Sequence, residues 1–170
     1  VEDGVDSEPR FSPSGDRLAF VSTRGAGDDP PQLWVLPTGG GEGRQVTAVT
    51  GGVSDIAWSP DGERIAFVQQ ATATDREAGH DIDAGGEEPT SPDPRVVDRT
   101  VYRSMQEYFD GRRSHVYVAD LADDSVRRLT DGDTDFSAPT WSNGTTLYYT
   151  ASAGDPDPDD PNPYGSVEFN

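Results

Sequence analysis

The chain contains no cysteine and no lysine. Without thiols it can form neither a disulfide nor a cysteine-rich zinc site, although this absence does not fix a compartment. All 13 basic residues are arginine, and they face 32 acidic ones, for a net charge of −19. That balance excludes the basic footprint that nucleic-acid binding needs. No apolar run approaches 18 residues, so no membrane span is read. No signal peptide is visible, and a start at Val1 rather than Met reads as processed or engineered. No segment sustains the 3.6-residue apolar period of a helical repeat. A Gly-x-Ser-x-Gly nucleophile elbow is missing, and the only histidines are His80 and His115. A catalytic triad cannot be assembled, and no cofactor or metal is expected.

What is present is a repeat. Ser54-Asp55-Ile56-Ala57-Trp58-Ser59-Pro60-Asp61-Gly62-Glu63-Arg64-Ile65-Ala66-Phe67-Val68 reads as strand, tight turn and strand. Proline presets φ at the turn, aspartate hydrogen-bonds across it, and glycine takes the positive φ that a side chain resists. The run Ser7–Val21 matches this stretch position for position, 47 residues upstream. A third copy, Ser137–Tyr149, lies 83 residues downstream and turns on Asn143-Gly144 instead. Further strands are expected at 32–36 and 44–47 in the first repeat and at 115–118 and 126–130 in the second. Leu33 to Val46 and Val116 to Leu129 are both 13 residues apart, so the register is kept. The extra length of the second repeat therefore sits in one loop, 71–113.

Four antiparallel strands in a repeat of about 45 residues predict an all-β fold, a partial β-propeller of about two and a half four-stranded blades. Blade one with its leading linker is 1–53. Blade two is 54–136 with the insertion 71–113, and 137–170 is an incomplete blade three whose third strand opens near Val167. A flat sandwich is the other all-β option, but it leaves the repeated register unexplained. Two and a half blades do not close a ring, so the chain reads as a piece of a larger propeller with exposed blades that invite self-association. Phe11, Trp34, Trp58 and Trp141 lie on strands that should pack between blades, some of them facing water. Acid is dispersed over patterned strands rather than gathered in a tail. That pattern suits a surface adapted to concentrated salt, in the cytoplasm of a high-salt cell.

The Ser-Pro-Asp-Gly-x-x-x-Ala-Phe hairpin resembles the TolB-type propeller repeat. The segments Asp93–Arg103, Asp110–Val118 and Arg128–Asp133, leading to Ala138–Ser142, resemble the N-terminal propeller of acylaminoacyl-peptidase-like and dipeptidyl-aminopeptidase-like serine peptidases of the prolyl oligopeptidase family. The resemblance covers about residues 7–150. It implies further blades and an α/β-hydrolase domain in the parent chain, with the propeller as a non-catalytic cap that admits short peptide substrates. The rival expectation is a free-standing TolB-like propeller acting as a protein-interaction scaffold. The two differ in whether a nucleophile elbow follows downstream.

The insertion is where specificity would reside. Its first half, Thr72 to Pro92, is rich in Gly, Asp, Glu and Pro and is expected to lack regular structure. Its second half gathers arginines and aromatics, and Arg103, Tyr108, Arg112 and Arg113 are the substrate-facing candidates. Guanidinium groups bind carboxylates bidentately. The competing role is pairing with nearby aspartates. Asp131-x-Asp133-x-Asp135 begins like a calcium loop but lacks its later glycine and glutamate, so it reads as an acidic linker. Asn143-Gly144-Thr145 matches a glycosylation acceptor, yet the turn accounts for the asparagine. His115 falls in a strand and His80 in a polar loop.

Overall fold

The computed structural model describes residues 4–24, 30–82, 111–153 and 164–168. The first sheet has the order β1 (Asp6–Phe11), β2 (Arg17–Ser22), β3 (Gln32–Pro37), β4 (Arg44–Gln45). The second has β5 (Ser54–Trp58), β6 (Arg64–Ala71), β7 (Arg113–Asp120) and β8 (Val126–Arg128), with a helix, α1 (Ala73–Ala78), between β6 and β7. The third runs β11 (Tyr164–Glu168), β10 (Leu147–Ala153), β9 (Thr134–Trp141). All pairings are antiparallel. The innermost strands touch in sequence, β1 with β5 and β5 with β9, so successive blades pack side by side. The third strand of blade three begins at Tyr164, three residues before the expected opening at Val167.

The repeated turn residues explain the repeated hairpins. Ser12 N–H bonds Arg17 C=O at 2.8 Å, and Ser59 N–H bonds Arg64 C=O at 2.9 Å. Gly15 and Gly62 take φ of 74° and 72°, which a side chain would strain. The third turn is one residue shorter and is tied differently, with Asn143 Oδ1 accepting from the N–H groups of Thr145 and Thr146, both at 2.8 Å. Each first strand also carries a bulge, at Glu8, Asp55 and Ala138, all with φ 51°. A bulge re-aims the side chain beside it.

Two cores lie between the three blades. Ala19, Val21, Leu33 and Val35 of blade one meet Ile56, Ile65, Phe67 and Tyr117 of blade two. Ala66, Val68, Val116 and Val118 from the other face of blade two meet Phe136, Leu147 and Tyr149. Strand β6 is buried on both faces over Ile65–Val68 because it feeds both cores, which is why those four residues are all apolar. Trp58 packs on the first core and Trp141 on the second, whereas Phe11 is 66% exposed.

Part of the segment expected to be irregular is helical. Thr72 caps α1 by accepting from Asp75 N–H at 3.1 Å, and Asp75 Oδ2 returns a bond from Thr72 N–H at 3.4 Å. Gly79 ends the helix at φ 76°. The reciprocal cap and the left-handed glycine define both ends of a helix too short to show periodicity.

Candidate functional site

The insertion leaves blade two after β6 and returns at β7, and both of its roots are fastened to the linker that follows β8. At the leaving end, α1 carries the buried Arg76. Its Nε donates to Asp131 Oδ1 at 2.9 Å, and its other nitrogens donate to the carbonyls of Ala71 and Gly132. At the returning end, Arg113 donates to Asp133 at 2.7 Å and to Asp135 at 3.2 Å, while Ser114 N–H bonds Asp135 at 2.8 Å. The three aspartates of the calcium-like run therefore face arginines. Among the described residues, no cluster of His, Cys, Asp and Glu could hold a metal.

A second tie lies deeper. The turn after α1 brings Asp81 to zero exposure, where Oδ2 accepts from Tyr117 Oη at 2.7 Å and from Arg128 at 2.6 Å. Gln69 donates to the Asp81 carbonyl at 2.7 Å and accepts from Gly51 N–H at 3.1 Å, so blade one's linker joins the network. Burial, and after it the bond to Asp81, pushes the Tyr117 hydroxyl well above its usual range. Asp81 Oδ1 has no partner among the described residues. A carboxylate buried this way is held in place by its arginine and its tyrosine together.

His115 lies beneath the same root, with Nδ1 3.2 Å from Thr130 Oγ1 and its ring against Phe136. Burial first, and then the nearby Arg76 charge, lowers it to about 4, so it is neutral near pH 7. Its Nε2 has no partner in the described structure. It is a structural histidine, as its strand position implied. His80 bonds Asp75 C=O through its N–H at 2.9 Å and accepts from Thr50 Oγ1 at 3.3 Å through its carbonyl.

Between α1 and the linker is an open cleft of about 500 Å³, bordered by Arg76, Glu77, Arg128, Asp131 and Asp133. Of the substrate-facing candidates, Arg113 is buried against Asp133 and Asp135, and Arg112 is exposed beside it. Arg103 and Tyr108 lie outside the described residues. Sequence reading missed Arg76, Asp81 and Arg128. The available signal was the capping pattern Thr72-x-x-Asp75, which places Arg76 on a helix beside the acidic linker.

No family model matches the chain. The chain is 31% identical over 153 residues to the uncharacterised peptidase YuxL of Bacillus subtilis (strain 168), a match that takes in 89% of this chain and 22% of that protein. Among solved structures, the acylaminoacyl peptidase of Pyrococcus horikoshii aligns at a TM-score of 0.63 and 18% identity, over 97% of this chain and 23% of its own. TolB from Acinetobacter baumannii aligns at 0.52 and 14%, over 99% of this chain and 30% of its own. The chain thus spans under a quarter of the peptidases it matches, and the structural likenesses speak to the fold. Repeated hairpins, shared blade register and these likenesses agree: the chain is a partial β-propeller, similar in sequence to part of a peptidase and in fold to the propellers of acylaminoacyl peptidase and TolB.

Proposed function

We propose that this segment forms the first blades of a propeller that caps the active site of a serine peptidase and limits entry to short peptides. Its partners are the remaining blades, the α/β-hydrolase domain of the parent chain and the peptide substrate. The nucleophile elbow, which this sequence lacks, is then supplied by the hydrolase domain. The observation that carries this reading is the double fastening of the insertion root, by Arg76 at one end and Arg113 at the other, to one acidic linker. An excursion of this length from one loop needs a fixed base if it is to shape a passage rather than trail in solvent. Arg112, Arg103 and Tyr108 are proposed to contact substrate, with Arg113 holding the base beneath them.

The test uses the full-length protein and unstructured peptides of increasing length. The expected result is a kcat/KM that falls with peptide length, with the fall softened in Arg113→Gln, which loosens the base. Values independent of length in both proteins would sink the reading.

A further inference from the structure

Four contacts of one kind recur at both blade junctions, the carboxylate reaching an amide one repeat position earlier at the second, where proline stands in the place of Ile56. At the first, Glu8 on its bulge accepts from Ile56 N–H at 3.3 Å, and the Trp58 indole N–H donates to the Arg10 carbonyl at 2.9 Å. Arg17 lies 5.4 Å over the Trp58 ring and donates to the Gly62 carbonyl at 2.7 Å. At the second, Asp55 accepts from Ala138 N–H at 3.4 Å, and Trp141 Nε1 donates to the Ala57 carbonyl at 3.1 Å. Arg64 lies 5.4 Å over Trp141 and donates to the Gly144 carbonyl. The clasp has a direction. The earlier blade gives the carboxylate and the arginine, and the later blade gives the indole and the turn carbonyl.

Both outer faces lack their half. Where blades two and three have tryptophan, blade one has Phe11, which has no N–H to donate. Where blades one and two have an acid and an arginine, blade three has Ala138 and Thr146. Its forward face also replaces the Ala19, Val21 and Ala66, Val68 pairs with Tyr148 and Thr150. A junction cannot keep one half alone without harm: an indole N–H or guanidinium closed into an interface without its acceptor loses its water bonds for nothing. Halves should therefore be kept or dropped together.

We infer that the clasps bind blades one to three into one rigid body centred on blade two and its insertion root. Its two outer faces are docking surfaces for neighbouring blades of the same polypeptide that bring no clasp half. The occupant is a further blade because the matched peptidases extend well beyond this segment and the repeat is radial. Arg17 and Arg64 are then positioning residues, acting through Trp58 and Trp141. Their purpose rests on the proposed cap, but the geometry does not.

The test is made in the full-length protein, by melting temperature and by exchange of the Ile56 and Ala138 amides. Trp58→Phe and Trp141→Phe should each lower the melting temperature and speed exchange at their junction about tenfold, the scale of one net hydrogen bond. Phe11→Trp and Thr146→Arg each add a clasp half that the docked neighbour does not match, so they should leave exchange at the two clasped junctions unchanged and should not raise the melting temperature. A rise in melting temperature with Phe11→Trp or Thr146→Arg would show that a neighbour holds the matching half and overturn the inference. So would unchanged exchange in the two tryptophan variants. No readout depends on turnover, so failure of the peptidase reading leaves this test intact.

Discussion

Blades one and two solve one problem with different chemistry. Each must tie its third strand to the linker that leads to the next blade. In blade one, Thr47 Oγ1 accepts from Leu33 N–H at 2.9 Å and donates to Gln32 Oε1 at 2.9 Å. Gln32 goes on to bond both the N–H and the C=O of Val49, at 2.9 and 2.8 Å. In blade two the corresponding residues are Thr130 and His115, and Thr130 Oγ1 again accepts from the strand, Val116 N–H at 3.0 Å. Among the described residues the imidazole does not go on to the linker as the amide does, and its Nε2 has no partner. Ion pairs from Arg76 and Arg113 hold the linker instead. A neutral amide serves the short-looped blade. Charge serves the blade that carries the insertion, because both insertion roots arrive at the linker with arginines. Acid and salt should therefore act on blade two before blade one.

Removing the arginine beneath Asp81 breaks the symmetry most. Arg128→Met leaves a fully buried carboxylate with only Tyr117, and should lower stability by about 3–5 kcal/mol in urea titrations. Gln45, in the same place of blade one, is exposed, and Gln45→Met should change stability by under about 0.5 kcal/mol. Equal losses at the two sites would contradict the comparison. Next comes acid. His115 is depressed to about 4 from an ordinary 6.5, so the unfolded chain binds a proton that the folded chain refuses. Stability should fall as pH drops from about 6.5 to 4, by on the order of 3 kcal/mol. His115→Gln, which copies blade one, should remove most of that slope in pH-dependent unfolding.

Ionic strength comes third. The net charge of −19 opposes the compact state, and salt screens it. Melting followed by circular dichroism should rise by a few degrees between dilute buffer and molar potassium chloride, roughly 1 kcal/mol for a chain of this size. Identical melting in both would remove salt adaptation from the account. The smallest effect lies in the blade-two turn. The Ser59 hydroxyl, followed by Glu63 N–H, holds the Asp61 carboxyl at about 2. Its contribution is present above the usual carboxylate value near 4 and is lost as pH falls toward 2. Solvent screening limits Asp61→Asn to about 1 kcal/mol or less at neutral pH.

The sheets were legible because the signal repeats. Arg17 and Arg64, Phe20 and Phe67, Gly15 and Gly62 stand at the same offset, and a hairpin needs only local turn chemistry. The clasp was half legible: an arginine opening each second strand beside a tryptophan closing the next first strand is visible once the repeats are laid over one another. The insertion root was not. Asp81, Tyr117 and Arg128 are separated by 36 and 11 residues with no shared pattern, and burial turns them from ordinary polar residues into a network. Helix α1 was missed because six residues carry less than two turns of period. Arg113 looked available to substrate because its two aspartates lie about twenty residues away, across β7 and the linker.

The amides of Leu33 and Val116 make the most direct probe, since each bonds the threonine of its own blade. Hydrogen exchange, corrected to protection factors, should be followed at both from pH 7 to pH 5. The account predicts that protection at Val116 falls while protection at Leu33 holds, as His115 begins to resist its buried site and the blade-two linker loosens. Protection falling in parallel at both amides would contradict it.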